Sequence, residues 1–191
     1  MPLSAATITA GILSAGAGQS ITGPAFPKLA TAIGNGVYAW AVVPVNLVIQ
    51  GITTGTVGAG ITLGTLTIIP PNIAAVVNAL AGANVLGVVA PRLATAVVTG
   101  IVVAFTGASY KGVSVGVGVG ADAGMITATN GPALVGAIYA AMIDKGPAAF
   151  PVAQGLGLGI ATQLLGSVAV GVVTGPPGLP GPPGTSISGM V

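Results

Sequence analysis

Histidine and cysteine are absent from this chain of 191 residues, and charge is nearly absent. Four cations (Lys28, Arg92, Lys111, Lys145) and two anions (Asp122, Asp144) make up 3% of the residues, against about 25% in an ordinary soluble domain. The missing residue types remove imidazole bases, thiolate nucleophiles, disulfides and the usual metal ligands. The two aspartates lie 22 residues apart among small residues and form no convergent acid/base pair. Most hydrolytic and redox chemistry is excluded, so the chain is expected to be no enzyme and to hold no metal or cofactor.

Aromatic residues are also few. Three Tyr, three Phe and one Trp are scattered, and a net charge of +2 is spread along the chain, so neither a basic patch nor a base-stacking surface is expected and nucleic acid is not a partner. Gly116, Gly118 and Gly120 have the spacing of a dinucleotide loop, but 33 glycines generate that spacing often, and no capped helix with a suitably placed acid follows. No small-molecule substrate is expected. Lys28 and Arg92 fall near helix N-termini, where unpaired N–H groups favour anions. Val152 holds the matching place in a third segment, so the two cations read as exposed or interfacial ends of apolar hairpins. The start, Met1-Pro2-Leu3-Ser4, has neither the basic region nor the apolar core of a secretory signal.

What the chain has instead is apolar surface: 53% hydrophobic residues and a mean hydropathy of +1.02. Six charges cannot cover a folded surface of this size, so lipid or other protein must shelter part of it.

Internal repetition organises the rest. Pro27-Lys28-Leu29-Ala30-Thr31-Ala32-Ile33 recurs as Pro91-Arg92-Leu93-Ala94-Thr95-Ala96-Val97, and Gly23-Pro24-Ala25-Phe26-Pro27 recurs with one insertion as Gly146-Pro147-Ala148-Ala149-Phe150-Pro151. Each unit opens with an Ala-rich helical stretch: Leu3 to Ala17, Asn72 to Val88, and Pro132 to Ile143. In the second, Asn72 is a helix cap and Gly87 sits near the end. Each proline of the series 27, 91 and 151 suits the first turn of a second helix, since its missing N–H would be unpaired there anyway. These second helices are expected over Lys28 to Val43, Arg92 to Phe105, and Val152 to about Val170.

The period then changes to two. Val113 to Val119 alternates strictly and Ile61 to Ile68 nearly so, which predicts strands with one aliphatic face. The opposite face of residues 113–119 holds only Gly and Ser, so a second backbone layer can approach there. Bare strands of this kind aggregate, so they must be paired within the chain or between chains. After Thr174 the sequence becomes Gly-Pro-Pro-Gly-Leu-Pro-Gly-Pro-Pro-Gly, which forces polyproline II and predicts an extended tail.

The expected fold is α+β: a single domain, residues 1–174, of three tandem helix-turn-helix-strand repeats of about 60 residues. Their bounds are approximately 3–69, 70–129 and 130–174, and a Pro/Gly-rich tail follows over 175–191. The strands of successive repeats would form one shared sheet with helix pairs packed around it. Interface candidates are Val113, Val115, Val117 and Val119 on the strand and Pro176, Pro177, Pro180, Pro182 and Pro183 in the tail.

A membrane is the main rival shelter, because no charge lies between Lys28 and Arg92 or from Gly146 to Val191. The candidate helices, however, are mostly shorter than the roughly 20 residues a span needs. The Ala/Gly/Val/Thr composition, the repeated blocks and the Gly-Pro-Pro tail resemble the small, very hydrophobic virion structural proteins of tailed bacteriophages. That resemblance implies a multi-copy subunit of a tail or capsid, located in the virion, with copies of itself and other particle proteins as partners. The alternative is a membrane-inserting or ejected pore protein, or an integral membrane channel.

Overall fold

The computed structural model describes residues 3–21, 23–43, 46–56, 58–87, 89–117, 119–142, 146–165, 167–174 and 184–190, with side chains outside 47–59, 89, 114, 116–122 and 169–190. The protein is mixed α+β, with the element order α1 (Ala5–Gly18), α2 (Ala25–Ala41), β1 (Leu47–Thr56), β2 (Gly58–Ile68), α3 (Ile73–Gly82), α4 (Val89–Phe105), β3 (Ser109–Val117), β4 (Val119–Ala128), α5 (Gly131–Ala141), α6 (Ala149–Leu164), β5 (Val168–Thr174) and β6 (Gly184–Met190). Two helices are followed by two strands, three times over.

Local chemistry explains where the helices start. Ser4 and Thr7 form a reciprocal capping box on α1: Ser4 Oγ accepts from Thr7 N at 3.0 Å and Thr7 Oγ1 accepts from Ser4 N at 2.9 Å. Asn72 accepts from Ala74 N at 2.9 Å to cap α3, and Asn130 accepts from Ala133 N at 3.2 Å to cap α5. The second helix of each pair begins two residues before its proline, so Pro27, Pro91 and Pro151 stand in the first turn.

The ends correct two expected boundaries. Helix α3 stops at Gly82 rather than Val88, because Asn84 turns left-handed at φ +59°. Val85 N then donates to Leu80 O at 2.9 Å and Asn84 N to Ala81 O at 2.9 Å, the paired bonds of a Schellman stop. Helix α1 ends the same way on Ser20 at φ +56°, with Ile21 N on Gly16 O at 3.1 Å and Ser20 N on Ala17 O at 3.0 Å. Helix α6 ends at Leu164 instead of continuing to Val170: Ser167 Oγ donates to Gln163 O, and the Val-rich segment after it goes to a strand.

All six strands pair antiparallel with their neighbours in order, and β6 returns to β1, closing a barrel. Strands of successive helix–strand units do share one sheet. Each unit, however, supplies a hairpin rather than one strand, and the helices do not surround the sheet. They form their own layer, in which each helix packs on the next and α6 returns to α1. Within the stretch expected as a tail, Gly184–Met190 is the strand that closes the barrel, and residues 175–183 and 191 lie outside the described residues.

Glycine sets the closest approach in the helix layer. A Cβ on Gly159 of α6 would meet the α1 backbone, with Ile12 N at 2.6 Å, and one on Gly155 would sit 3.0 Å from Gly16 Cα. One core joins the two layers. Ile12, Ile33, Leu80, Ile101, Leu134 and Ile160 of the helices belong to the same buried cluster as Leu66, Ile68, Tyr110 and Ile126 of the strands. Backbone bonds stitch the junction: Gly107 N to Leu66 O at 2.7 Å, Leu66 N to Ala108 O at 2.9 Å, and Asn130 N to Ala104 O at 3.0 Å. Trp40 Nε1 donates to Ile69 O at 2.8 Å and Asn46 Nδ2 to Trp40 O at 2.8 Å.

Replacing Gly159 by Ala is expected to cost about 1–3 kcal/mol, since a backbone rather than a flexible side chain must yield. Ser20→Gly is expected to add up to about 1 kcal/mol by relieving the left-handed residue. Urea unfolding midpoints of the two variants against the parent chain check both signs.

Candidate interaction surface

A strand sends alternate residues to opposite faces, and on β2, β3 and β4 the two faces are chemically distinct. Inward, Gly60, Thr62, Leu66, Ile68, Tyr110, Gly112 and Ile126 are buried. The register sets Thr62, Gly112 and Gly124 in one row across three strands and Gly64 and Tyr110 opposite each other in the next. Tyr110, only 2% exposed, fills the space these glycines leave: its Oη lies 2.5 Å from where a Cβ on Gly112 would stand and 2.6 Å from one on Gly124. The Gly/Ser face expected over residues 113–119 falls on Ser114, Gly116 and Gly118, outside the described side chains; Gly112, two residues earlier on the same side of β3, lines the inside of the barrel.

Outward, the residues are aliphatic and exposed. Ile61 is 46% exposed, Leu63 54%, Val113 57%, Val115 59% and Met125 47%. Register makes them contiguous: Ile61 pairs with Val113 and Val113 with Ala123, while Leu63 pairs with Lys111 and Lys111 with Met125. Toward the helix layer the same outer face turns polar, with Thr65, Thr67, Ser109 and Thr127 all exposed. Lys111, also exposed, stands in the boundary row between the two zones. On the described side chains of β2, β3 and β4 the outer wall thus has an apolar half toward the β3–β4 turn and a polar half toward the helices.

Of the interface residues expected from sequence, Val113 and Val115 lie on this wall. Val117 and Val119 are register partners at the end of the β3–β4 hairpin, and their side chains lie outside the described residues, as do Pro176, Pro177, Pro180, Pro182 and Pro183 altogether. Ile61 and Leu63 belong to the same surface and were legible in the alternation of β2, although only the β3 row was singled out as an interface. Met125 was not legible, since Gly120 to Gly124 shows no aliphatic alternation.

Two shallow depressions lie elsewhere. One of about 430 Å³ is lined by Pro91, Arg92, Thr95, Ala140 and Ala141. Another of about 200 Å³ lies at the helix–strand junction among Thr106, Gly107, Ser109, Thr129 and Asn130. Arg92 is the one titratable group lining either, so neither brings together the groups that acid/base or nucleophilic chemistry needs. No helix among the described residues is long and apolar enough to cross a membrane.

No protein-family model, curated protein or solved structure matches the chain.

Inner and outer rows are expected to respond oppositely to truncation. Leu66→Ala, inside the barrel base, should cost about 2–5 kcal/mol, and Val113→Ser, on the wall, should change the stability of the isolated fold by no more than about 0.5 kcal/mol. Urea unfolding of both variants reads the difference.

Proposed function

We propose that this chain is a non-enzymatic structural subunit of a multi-copy assembly, a component of a bacteriophage tail or capsid held to its neighbours by apolar packing. In this reading its three helix–helix–strand–strand segments are tandem copies of one unit, and the Pro/Gly-rich stretch contributes to contacts between subunits.

One observation carries the proposal: the described surface is apolar where a solitary soluble protein would be charged. Thirteen large hydrophobic side chains are at least 38% exposed, against three described charged side chains, Lys28, Arg92 and Lys111. They occupy more than one face. The barrel wall holds five, and the helix layer with its loops holds Ile73, Leu86 at 66%, Val103, Phe150, Leu158 and Leu165 among others. Covering a half-exposed Val, Leu, Ile or Met gives roughly 1 kcal/mol. Thirteen such gains are on the order of 10 kcal/mol, comparable with the roughly 4–15 kcal/mol that association costs. Because these residues lie on more than one face, a single partner on one face would leave the others in water, so the surface fits several neighbours arranged around the chain.

The pore alternative fits less well. Eight strands give a barrel interior just wide enough for side chains to fill, and this six-stranded one is occupied by Tyr110 between Gly112 and Gly124. The space for a water column is absent at that level.

Sedimentation velocity of the full chain in detergent-free buffer is expected to show a discrete multi-copy species. Leu158→Asp and Phe150→Asp, on the exposed side of α6, should shift it toward smaller species with little change in helix content by circular dichroism. A parent chain that stays monomeric at high concentration would overturn the proposal.

A further inference from the structure

We infer that the apolar half of the barrel wall is a lipid-docking surface that enters one leaflet of an anionic bilayer without opening a pore. The inference goes beyond the assembly proposal and does not depend on it: it assigns the five wall residues to lipid and leaves contacts between copies to the eight exposed hydrophobic side chains of the helix layer and its loops.

Four features converge on lipid. The first is closure. β2, β3 and β4, which carry the apolar residues, each pair on both sides, so the wall there presents side chains and no open edge of N–H and C=O groups. Hydrocarbon admits β-structure only in that form, because no water is there to satisfy an unpaired edge. The second is the division of the outer face along the strands. Ile61, Leu63, Val113, Val115 and Met125 lie in adjacent register rows, while Thr65, Thr67, Ser109 and Thr127 lie on the side of the helices. A surface crossing from headgroups to acyl chains needs this order, and a surface covered along its whole length by protein does not.

The third is charge. Lys111 is exposed in the row that separates the zones, between Leu63 and Met125. A lysine whose stem lies on apolar surface and whose ammonium reaches the headgroup level complements anionic phosphates. The fourth is depth. From Leu63 to the start of β2 at Gly58 the chain advances five residues, about 17 Å at 3.4 Å per residue. A barrel tilt of 35–45° reduces this to about 12–14 Å along the axis, close to half of a hydrocarbon core of about 30 Å. The wall reaches through one leaflet and stops. A second copy of this chain docked wall to wall would bring two convex surfaces together and set the Lys111 rows of the two copies beside the same aliphatic zone.

The absence of cysteine makes site-specific labelling direct. The full chain carrying Val115→Cys, and separately Thr127→Cys, is labelled with an environment-sensitive fluorophore. Each is mixed with vesicles of equal parts phosphatidylcholine and phosphatidylglycerol that enclose a self-quenched dye. The label at 115 is expected to shift to the blue and to be quenched by lipids brominated midway along the acyl chain, the label at 127 to do neither, and the dye to stay inside. Leu63→Asp should lower the vesicle-bound fraction about tenfold, as charge on a lipid-facing wall does. Lys111→Gln should remove the preference for these vesicles over pure phosphatidylcholine.

A label at 115 that does not respond to vesicles overturns the inference. So does dye release, which would mean a span or a pore, and so does equal quenching at 115 and 127. A label already shielded without lipid, together with loss of the multi-copy species in Leu63→Asp, would assign the wall to contacts between copies instead. Sedimentation without lipid, run in parallel, reports the assembly proposal separately.

Discussion

The narrowness of a six-stranded barrel is the constraint on which the rest of this structure depends. With fewer strands than the eight that give an interior filled by ordinary side chains, the inward rows must be nearly bare. The chain meets this with Gly60, Thr62, Gly64, Gly112 and Gly124, and then places one large ring, Tyr110, where Gly112 and Gly124 leave room. A methyl group on Gly124 would collide with the β3 backbone as well as with the tyrosine. At these narrow rows the aliphatic residues Ile61, Leu63, Val113 and Val115 fall on the outside, and Leu66, Ile68 and Ile126 turn inward only toward the helix layer, where they join its core. The exposed wall and the glycine-lined interior are thus two consequences of one geometry. Water is a poor solvent for the result.

Much of the helix layer was legible because its signals are local. Asn72 caps the helix that its position after Pro71 predicted, and the three prolines stand in first turns. The matched blocks at Pro27 and Pro91 correspond down to a hydrogen bond: Thr31 Oγ1 donates to Pro27 O and Thr95 Oγ1 to Pro91 O, both at 2.9 Å. Close helix approach also followed from composition, and it is found where Gly155 and Gly159 of α6 meet α1. The misjudged boundaries have local causes that composition conceals. Asn84 adopts the left-handed conformation that glycine would usually supply, so an eye searching for glycine passes over it to Gly87 and extends α3 to Val88, whereas the end of α1 expected at Ala17 falls within one residue of Gly18.

The sheet was legible only where alternation was strict. Ile61 to Ile68 and Val113 to Val119 announce strands; β1, with Gly51, Thr53, Thr54 and Gly55, and β4, with Ala121, Asp122 and Ala123, do not, because a residue there needs only to be small enough for the barrel or tolerable on its wall. Pairing is a non-local property, and the partner of β1 at the far end of the chain is β6, about 140 residues away by the register Leu47 to Ser188. Nothing near Leu47 carries that information. The same limit explains why helix pairs were expected around the sheet: an open sheet needs cover on its faces, whereas a closed one this small leaves no broad inner face for a helix to cover.

Closure also decides what kind of contact this protein can make. Val/Gly strands with free edges recruit other strands indiscriminately, and a chain with this composition in an open sheet would be prone to fibres. β6 joins β1 over Leu47–Gly51, and β2, β3 and β4 are paired on both sides, so the described outer wall offers no backbone hydrogen bond to guide association. What is left is aliphatic contact, which is nondirectional, punctuated by a few polar groups. Orientation then has to come from where the apolar area stops: the Thr65, Thr67, Ser109 and Thr127 rows and the single cation of Lys111. Those polar residues set how far a partner or a membrane can cover the wall, and the position of the boundary carries more specificity than any one of the aliphatic residues it encloses.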